Sequence, residues 1–341
     1  MQLTAIFFSS LLLSVLSTIT VKIFARKLGI VDKPDRERKI HKKAVPLLGG
    51  IAIFFSFFIM LWIAREDILA RGLSGAHLIS FFIGACILIL GGFLDDKYNL
   101  KPQRQIIFPV LASLAVIAGG IGIIKITNPA GGLLYFSGAA SAAFTFLWLM
   151  GMMYTTKLLD GVDGLVGGLG AISGIIIFLF TMTTRYYQPD VGLMGLIFAA
   201  ACLGFLAFNF YPAKIFLGEG GSLLIGYIIA VLAVISGGKI AIALLIMGIP
   251  IMDVAWIIVR RLWQGKNPFK FADRQHLHHR FLDMGLSQRQ TVFVYYILAA
   301  VFGSAALYLQ SQEKVIALGI LAIIMVLLAF ASVFMPKKNW S

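Results

Sequence analysis

The stretch Asp160-Gly161-Val162-Asp163-Gly164-Leu165-Val166-Gly167-Gly168-Leu169-Gly170-Ala171-Ile172-Ser173-Gly174-Ile175-Ile176-Ile177-Phe178-Leu179-Phe180-Thr181 decides the class of fold. Two carboxylates open it, and no further charge appears until Arg185. A bilayer core about 30 Å thick is crossed by about 20 mostly apolar residues in a helix rising 1.5 Å per residue, so this run reads as a membrane span with acids at its entrance. The same ruler gives eleven such runs in the 341 residues, beginning near Leu3, Leu47, Ala76, Gln105, Phe136, Gly164, Val191, Ser222, Lys239, Thr291 and Lys314. Barrel strands are excluded, because the runs are about twice too long and do not alternate.

Composition agrees. Apolar residues make up 60% of the chain, charged residues 13%, and mean hydropathy is +0.93. A soluble domain carries about 25% charged residues, so this chain lacks the polar surface to face water all round. The expected fold is all-α: one polytopic membrane domain over residues 1–341 with about 11 transmembrane helices. The first run has no basic leader or small-residue cleavage site and reads as a retained span. Cys86 and Cys202 lie in apolar runs without metal or disulfide spacing and read as small buried hydrophobes.

The net charge of +14 is distributed unevenly. Odd-numbered connections and the C-terminal tail hold 22 of the 29 Lys and Arg residues, and even-numbered ones hold 6. Lys and Arg favour the cytoplasmic side, which places the N-terminus outside and the C-terminus inside. The cytoplasmic loops then fall near 25–46, 95–104, 155–163, 212–221 and 259–290 of a multi-pass plasma-membrane protein. Ten of the 15 acids share that side, beside glycines in mostly short loops, where function concentrates. The basic surplus needs no nucleic-acid partner.

Five constellations lie there. Gly91-Gly92-Phe93-Leu94-Asp95-Asp96 ends the third run, and adjacent carboxylates call for a nearby cation or ample water. A hydrated acidic helix end is the plain alternative. In Lys157-Leu158-Leu159-Asp160-Gly161-Val162-Asp163-Gly164, acids at i and i+3 would share one side of a helical turn, with Gly164 and Gly168 as a packing pair. Asn209 through Gly218-Glu219-Gly220-Gly221-Ser222 could place Glu219 on a metal and backbone N–H groups on a phosphate, or else use Ser222 as a helix N-cap. Arg274-Gln275-His276-Leu277-His278-His279-Arg280 packs N–H donors suited to pyrophosphate, against the alternative of a lipid-binding basic patch. Asp32 through Gly50 is mainly a topogenic basic loop, from which Lys42 or Lys43 could point inward. Together they suit phosphoryl transfer between a soluble nucleotide and a lipid phosphate.

With His41-Lys42-Lys43-Ala44-Val45-Pro46-Leu47-Leu48-Gly49-Gly50, Leu94-Asp95-Asp96, Asp160 to Gly164, Asn209 to Ser222, Ile249-Pro250-Ile251-Met252-Asp253 and His276 to Arg280, the chain resembles the polyprenyl-phosphate N-acetylhexosamine-1-phosphate transferases over nearly its whole length. The His-x-His-His-Arg form resembles the N-acetylglucosamine-1-phosphate branch. The resemblance implies catalytic roles for Asp95, Asp96, Asp160 and Asp163, and Mg²⁺ or Mn²⁺ held by Glu219 and Asp96. It implies nucleotide or phosphate contacts from Lys43, Lys157, Asn209, His276, His278, His279 and Arg280. Glu219 stands where the family has a magnesium-ligating Asp, and Lys157 where it has Asn. A cation at 157 would contact a nucleotide phosphate or pair with Asp160.

The implied reaction moves an N-acetylhexosamine 1-phosphate, GlcNAc-1-phosphate foremost, from a UDP-N-acetylhexosamine donor to a polyprenyl phosphate acceptor with release of UMP. Peptidoglycan-type transfer of a phospho-muramoyl-pentapeptide is the alternative within the class, an ion-coupled transporter the alternative outside it, and a homodimer a possible assembly.

Overall fold

The computed structural model describes residues 2–34, 43–128, 132–183, 187–237, 240–265 and 276–334. Lys42, Arg274 and Gln275 lie outside the described residues. In chain order the helices are α1 (Leu3–Lys27), α2 (Gly49–Ile63), α3 (Arg65–Leu69), α4 (Gly75–Tyr98), α5 (Pro102–Gln105), α6 (Ile107–Ala118), α7 (Gly138–Leu159) and α8 (Leu165–Thr181). They continue as α9 (Pro189–Asn209), α10 (Gly218–Ile235), α11 (Ile240–Ile246), α12 (Gly248–Trp263), α13 (Leu277–Asp283), α14 (Gln288–Tyr308) and α15 (Ser311–Phe334). Two short antiparallel ribbons, β1 (Val31–Asp32) with β2 (Val45–Pro46) and β3 (Lys125–Thr127) with β4 (Leu133–Tyr135), lie in connections.

The architecture is an all-α, polytopic membrane fold, and each of the eleven apolar runs is helical. By length and apolarity α1, α4, α9, α10 and α14 can each cross a membrane, with α11 and α12 a sixth if that bent pair is one span. The eleven expected crossings include shorter helices. At 15 and 17 residues, α2 and α8 rise only about 1.5 Å per residue and fall short of a full bilayer core. The ninth run is not one straight helix but turns by 80° between α11 and α12. Pro250 lacks an N–H and its ring crowds the carbonyl four residues back, which accounts for the break at Met247.

Helix α1 shows the solvent for which the fold is built. Its small polar residues Ser10, Ser14 and Thr18 are buried, while Phe8, Leu12, Leu16 and Ile19 face outward. Water would favour the reverse, whereas lipid leaves packing and hydrogen bonds to hold helices together. Ser14 Oγ donates to Ala201 O at 2.6 Å, and Gly204 of α9 admits the Ser14 side chain closely. Similarly, Tyr227 Oη donates to Phe81 O at 2.9 Å across α10 and α4.

Helix α10 is the central element, packed against α2, α4, α7 and α8 and buried almost throughout. Its first turn meets its neighbours backbone to backbone. A Cβ on Gly50 would collide with the Gly221 backbone, and one on Gly92 with the Gly220 backbone. Beyond that contact, Phe216 N donates to Pro46 O, while Gly49 N and Gly50 N donate to Phe216 O and Leu217 O at 2.8 to 2.9 Å. These bonds satisfy the free N–H groups at the start of α2, which has no side-chain cap. The ends of α4, α7 and α9 and the starts of α2, α8 and α10 are thereby gathered at one end of the bundle.

Gly50→Val is expected to lower the melting temperature of the detergent-solubilised protein, because overpacking costs about 1–3 kcal/mol and backbone cannot yield as a side chain would. Gly151→Ala, with open space around its Cβ position, should leave it unchanged or raise it slightly. Equal melting temperatures for the two variants would contradict the close packing.

Candidate active site

The gathered helix ends enclose a polar cavity of about 850 Å³. Its walls include Asp95 and Asp96 from α4, Lys157 from α7, Asp160 and Asp163 from the α7–α8 turn, Asn209 from α9, Glu219 from α10, His279 from α13, and Lys43 beside β2. Nine residues expected from the sequence thus meet around one space.

Each acid is held by a different local device. Asp95 Oδ1 accepts from Leu100 N at 2.8 Å and Gln105 Nε2 at 3.1 Å. Asp96 Oδ1 accepts from Glu219 N at 3.1 Å, so a carboxylate of α4 sits on the N-terminal end of α10, where the helix dipole favours negative charge. Gly218, at φ +74°, leaves room for that carboxylate; a Cβ there would strike Asp96 Oδ2. Asp163 Oδ2 accepts from Ala213 N at 2.9 Å. The expected helical turn around Asp160 and Asp163 is instead an irregular turn closed by Gly164 at φ +83°. Both acids still reach the same cavity. Helix α10 also begins one turn earlier than an N-cap at Ser222 requires, and Ser222 Oγ donates to Glu219 O within the helix.

Lys157 does not pair with Asp160. Its Nζ lies 2.7 Å from Glu219 Oε2, a close ionic contact that is off-axis for a hydrogen bond, and donates to Gln105 Oε1 at 3.1 Å. Gln105 therefore links the cation to Asp95. Burial among protein atoms, then the charges of Glu219, Asp96 and Asp163, push the Asp160 carboxyl up to about 8. Cavity solvent also reaches this exposed residue and screens part of the repulsion.

The histidine motif divides. His279 lines the cavity, whereas His276 and His278 are buried outside the lining, His278 packing with His279 against Gly161, and Arg280 is not part of the lining. His276 Nδ1 lies 2.9 Å from Asp253 Oδ2, and Leu277 N donates to Asp253 Oδ1 at 2.9 Å, so buried Asp253 fixes the start of α13. His278 is fully buried, stacked parallel to His276 and tilted against His279. Burial, then His279 and His276, hold its pKa well below the usual histidine value, which leaves a neutral ring rather than a phosphate-binding cation. Asn209 is a brace: Oδ1 accepts from Gly164 N and Nδ2 donates to Ile215 O, tying the two loops of the site together.

Asp32, Gln105, Tyr211 and Gln288 also line the cavity, although sequence reasoning did not single them out as site residues. Gln105 was accessible only as a polar residue at the start of an apolar run. Asp253 carried a clearer mark, an acid inside a span, where a charge is expensive unless it has a partner.

Among the described residues no three His, Cys, Asp or Glu side chains are gathered at metal-ligand spacing. Of the two expected ligands, Asp96 holds the start of α10 and Glu219 is in contact with the Lys157 ammonium. The carboxylates are of the right chemical kind, but a cation of the chain already occupies the position against Glu219.

Fold and site together define a polytopic membrane protein with a polar, acid-lined chamber at one end of its helix bundle. The pattern described as "Glycosyl transferase family 4" matches residues 78–237. The chain is 32% identical, over 95% of its own length and 90% of the relative's, to the probable undecaprenyl-phosphate N-acetylglucosaminyl 1-phosphate transferase of Bacillus subtilis. It is similar at 29% identity, over 89% and 82%, to the decaprenyl-phosphate N-acetylglucosaminephosphotransferase of Mycobacterium tuberculosis. A third similar protein, at 28% identity over 93% and 86%, is the undecaprenyl-phosphate alpha-N-acetylglucosaminyl 1-phosphate transferase of Escherichia coli. The chain belongs to glycosyl transferase family 4, among its membrane-embedded phosphosugar transferases.

Two outcomes test this geometry. A raised carboxyl pKa means that the native state keeps a proton which the unfolded chain releases above about pH 4, so stability falls as pH rises from about 4 to 8. Asp160→Asn should make that fall shallower without removing it and raise the melting temperature above pH 8. Asp253→Ala should cost about 1–3 kcal/mol for each of the two buried partners, His276 and Leu277 N, left without its acceptor, read as a lowered unfolding midpoint in denaturant.

Proposed function

We propose that the protein transfers N-acetylglucosamine 1-phosphate from UDP-N-acetylglucosamine to polyprenyl phosphate, releasing UMP, at the cytoplasmic face of the plasma membrane. The observation that carries this reading is the meeting of Asp95, Asp96, Asp160, Asp163 and Glu219 with Lys43, Lys157 and His279 in one chamber at the end of an apolar bundle. The relatives' names supply the sugar and the lipid class. The cytoplasmic placement is supported by the excess of Lys and Arg in the connections that form the chamber.

In this reaction an oxygen of the lipid phosphate attacks the β-phosphorus of the donor. A P–O bond forms to the lipid, and the bond from that phosphorus to the bridging oxygen breaks, with the electron pair leaving on UMP. A phosphate monoester is already largely dianionic at pH 7, since its second pKa is about 6, so the attacking oxygen needs little help from a base. The harder problem is bringing two anions together in an acid-lined space. Lys43, Lys157 and His279 supply donors and positive charge toward phosphate oxygens. Asp95, fixed by Leu100 N and Gln105, orients the acceptor, and Asp160 and Asp163 direct the donor by accepting hydrogen bonds from its hydroxyl and amide groups. An ion-coupled transporter would use acids within the spans, and the acid inside a span, Asp253, is instead bound to His276 and to the start of α13.

Purified protein in lipid nanodiscs should release UMP from UDP-N-acetylglucosamine only when polyprenyl phosphate is present. Asp95→Asn should lower kcat by at least about 10²-fold. UMP release without the lipid acceptor, or substrate-dependent transport without UMP release, would overturn the reading.

A further inference from the structure

We infer that Lys157 is the resident cation of this site, standing against Glu219 where a divalent ion would otherwise bind and relieving the transferase of much of its need for one. The inference rests on the proposed reaction for the phosphates it invokes, and on the contacts of Lys157 with Glu219 and Gln105 for the placement of the cation.

The arrangement is specific. Lys157 Nζ is 2.7 Å from Glu219 Oε2, and the two side chains are 19% and 37% exposed. Its second partner, Gln105 Oε1 at 3.1 Å, belongs to an amide whose Nε2 binds Asp95 and Leu100 O. The ammonium is thus held from two sides among acids contributed by α4 and α10. Lys157 also lies in the last turn of α7, where the helix dipole favours a cation. A partly exposed pair of this type contributes only about 0–1 kcal/mol to folding, which is too little to explain a charged tether across the floor of a reactive chamber by stability alone.

The pair also excludes a competitor. A metal approaching Glu219 must displace an ammonium already in contact with it and then share the space with that positive charge. Asp96 is unsuited to recruit the ion alone, because one of its oxygens is committed to Glu219 N. A lysine can meet the electrostatic part of the task by offsetting charge on the donor diphosphate and on departing UMP. It cannot bind several oxygens in a fixed octahedral frame, so positioning falls to the surrounding acids and to His279.

Mn²⁺ binding to the detergent-solubilised protein, followed by electron paramagnetic resonance without any substrate, tests the assignment separately from the reaction. Lys157→Met should bind Mn²⁺ at least about tenfold more tightly than the unaltered protein, since a unit positive charge has been removed from contact with the ligand. Lys157→Asn should behave in the same direction, and Glu219→Gln added to either should abolish the gain. In parallel, a chelator should leave most UMP release by the unaltered protein intact while silencing Lys157→Met. Equal Mn²⁺ affinity with and without Lys157, or no binding in either substituted form, overturns the inference. Absence of UMP release from the unaltered protein even with Mg²⁺ supplied would fault the transferase reading instead, leaving the Mn²⁺ comparison to stand by itself.

Discussion

The site depends on the contact between the first turn of α10 and the helices beside it. Gly220 and Gly221 meet Gly92 and Gly50 with no side chain between them, and Asp96 then reaches the N-terminal end of α10 through the space left by Gly218. Any larger residue at those positions would move α10 outward by the width of a side chain. Glu219 would leave Lys157, and the carboxylates of α4 would lose the helix end that holds one of them. In a lipid solvent the hydrophobic effect does not draw helices together, so close packing of small residues has to carry the association.

That contact explains why the chamber is polar although the bundle is not. Backbone groups at helix ends have no partners within their own helix, and six ends converge here. Several are satisfied by loop carbonyls and acidic side chains: Gly49 N and Gly50 N by the 216–217 segment, Leu100 N by Asp95, Ala213 N by Asp163, and Leu277 N by Asp253. Of these acids Asp95 and Asp163 also face the cavity, whereas Asp253 is buried behind its wall. Structural and chemical demands therefore fall on the same residues, with Asp96 the clearest example.

The five site motifs were legible in the sequence because charged residues are so costly among apolar runs that their retention at run ends marks a polar place. Lys43, both acid pairs, Lys157, Glu219 and His279 reach the cavity accordingly. The roles within each motif were less legible. His276, His278 and His279 look alike as neighbours in a chain. On a short helix they point in different directions, so one lines the cavity, one binds a buried carboxylate and one is buried against the other two. Asn209 similarly reads as a polar site residue, yet both ends of its amide are used on backbone.

By itself the sequence determined the solvent, the helical class and the end of the bundle where chemistry belongs, because hydropathy and charge are properties of composition along a line. Tertiary structure alone decided which charges touch. Lys157 and Glu219 are separated by 62 positions, and nothing in either motif distinguishes Asp160, three residues from Lys157, from Glu219 as its partner. The choice was made by the glycine-lined approach of α10 to α2 and α4, together with the end of α7 at Leu159, after which Asp160 leaves the helical path at ψ 51°. A Coulombic contact depends on distance in space, and that distance is set by helix packing.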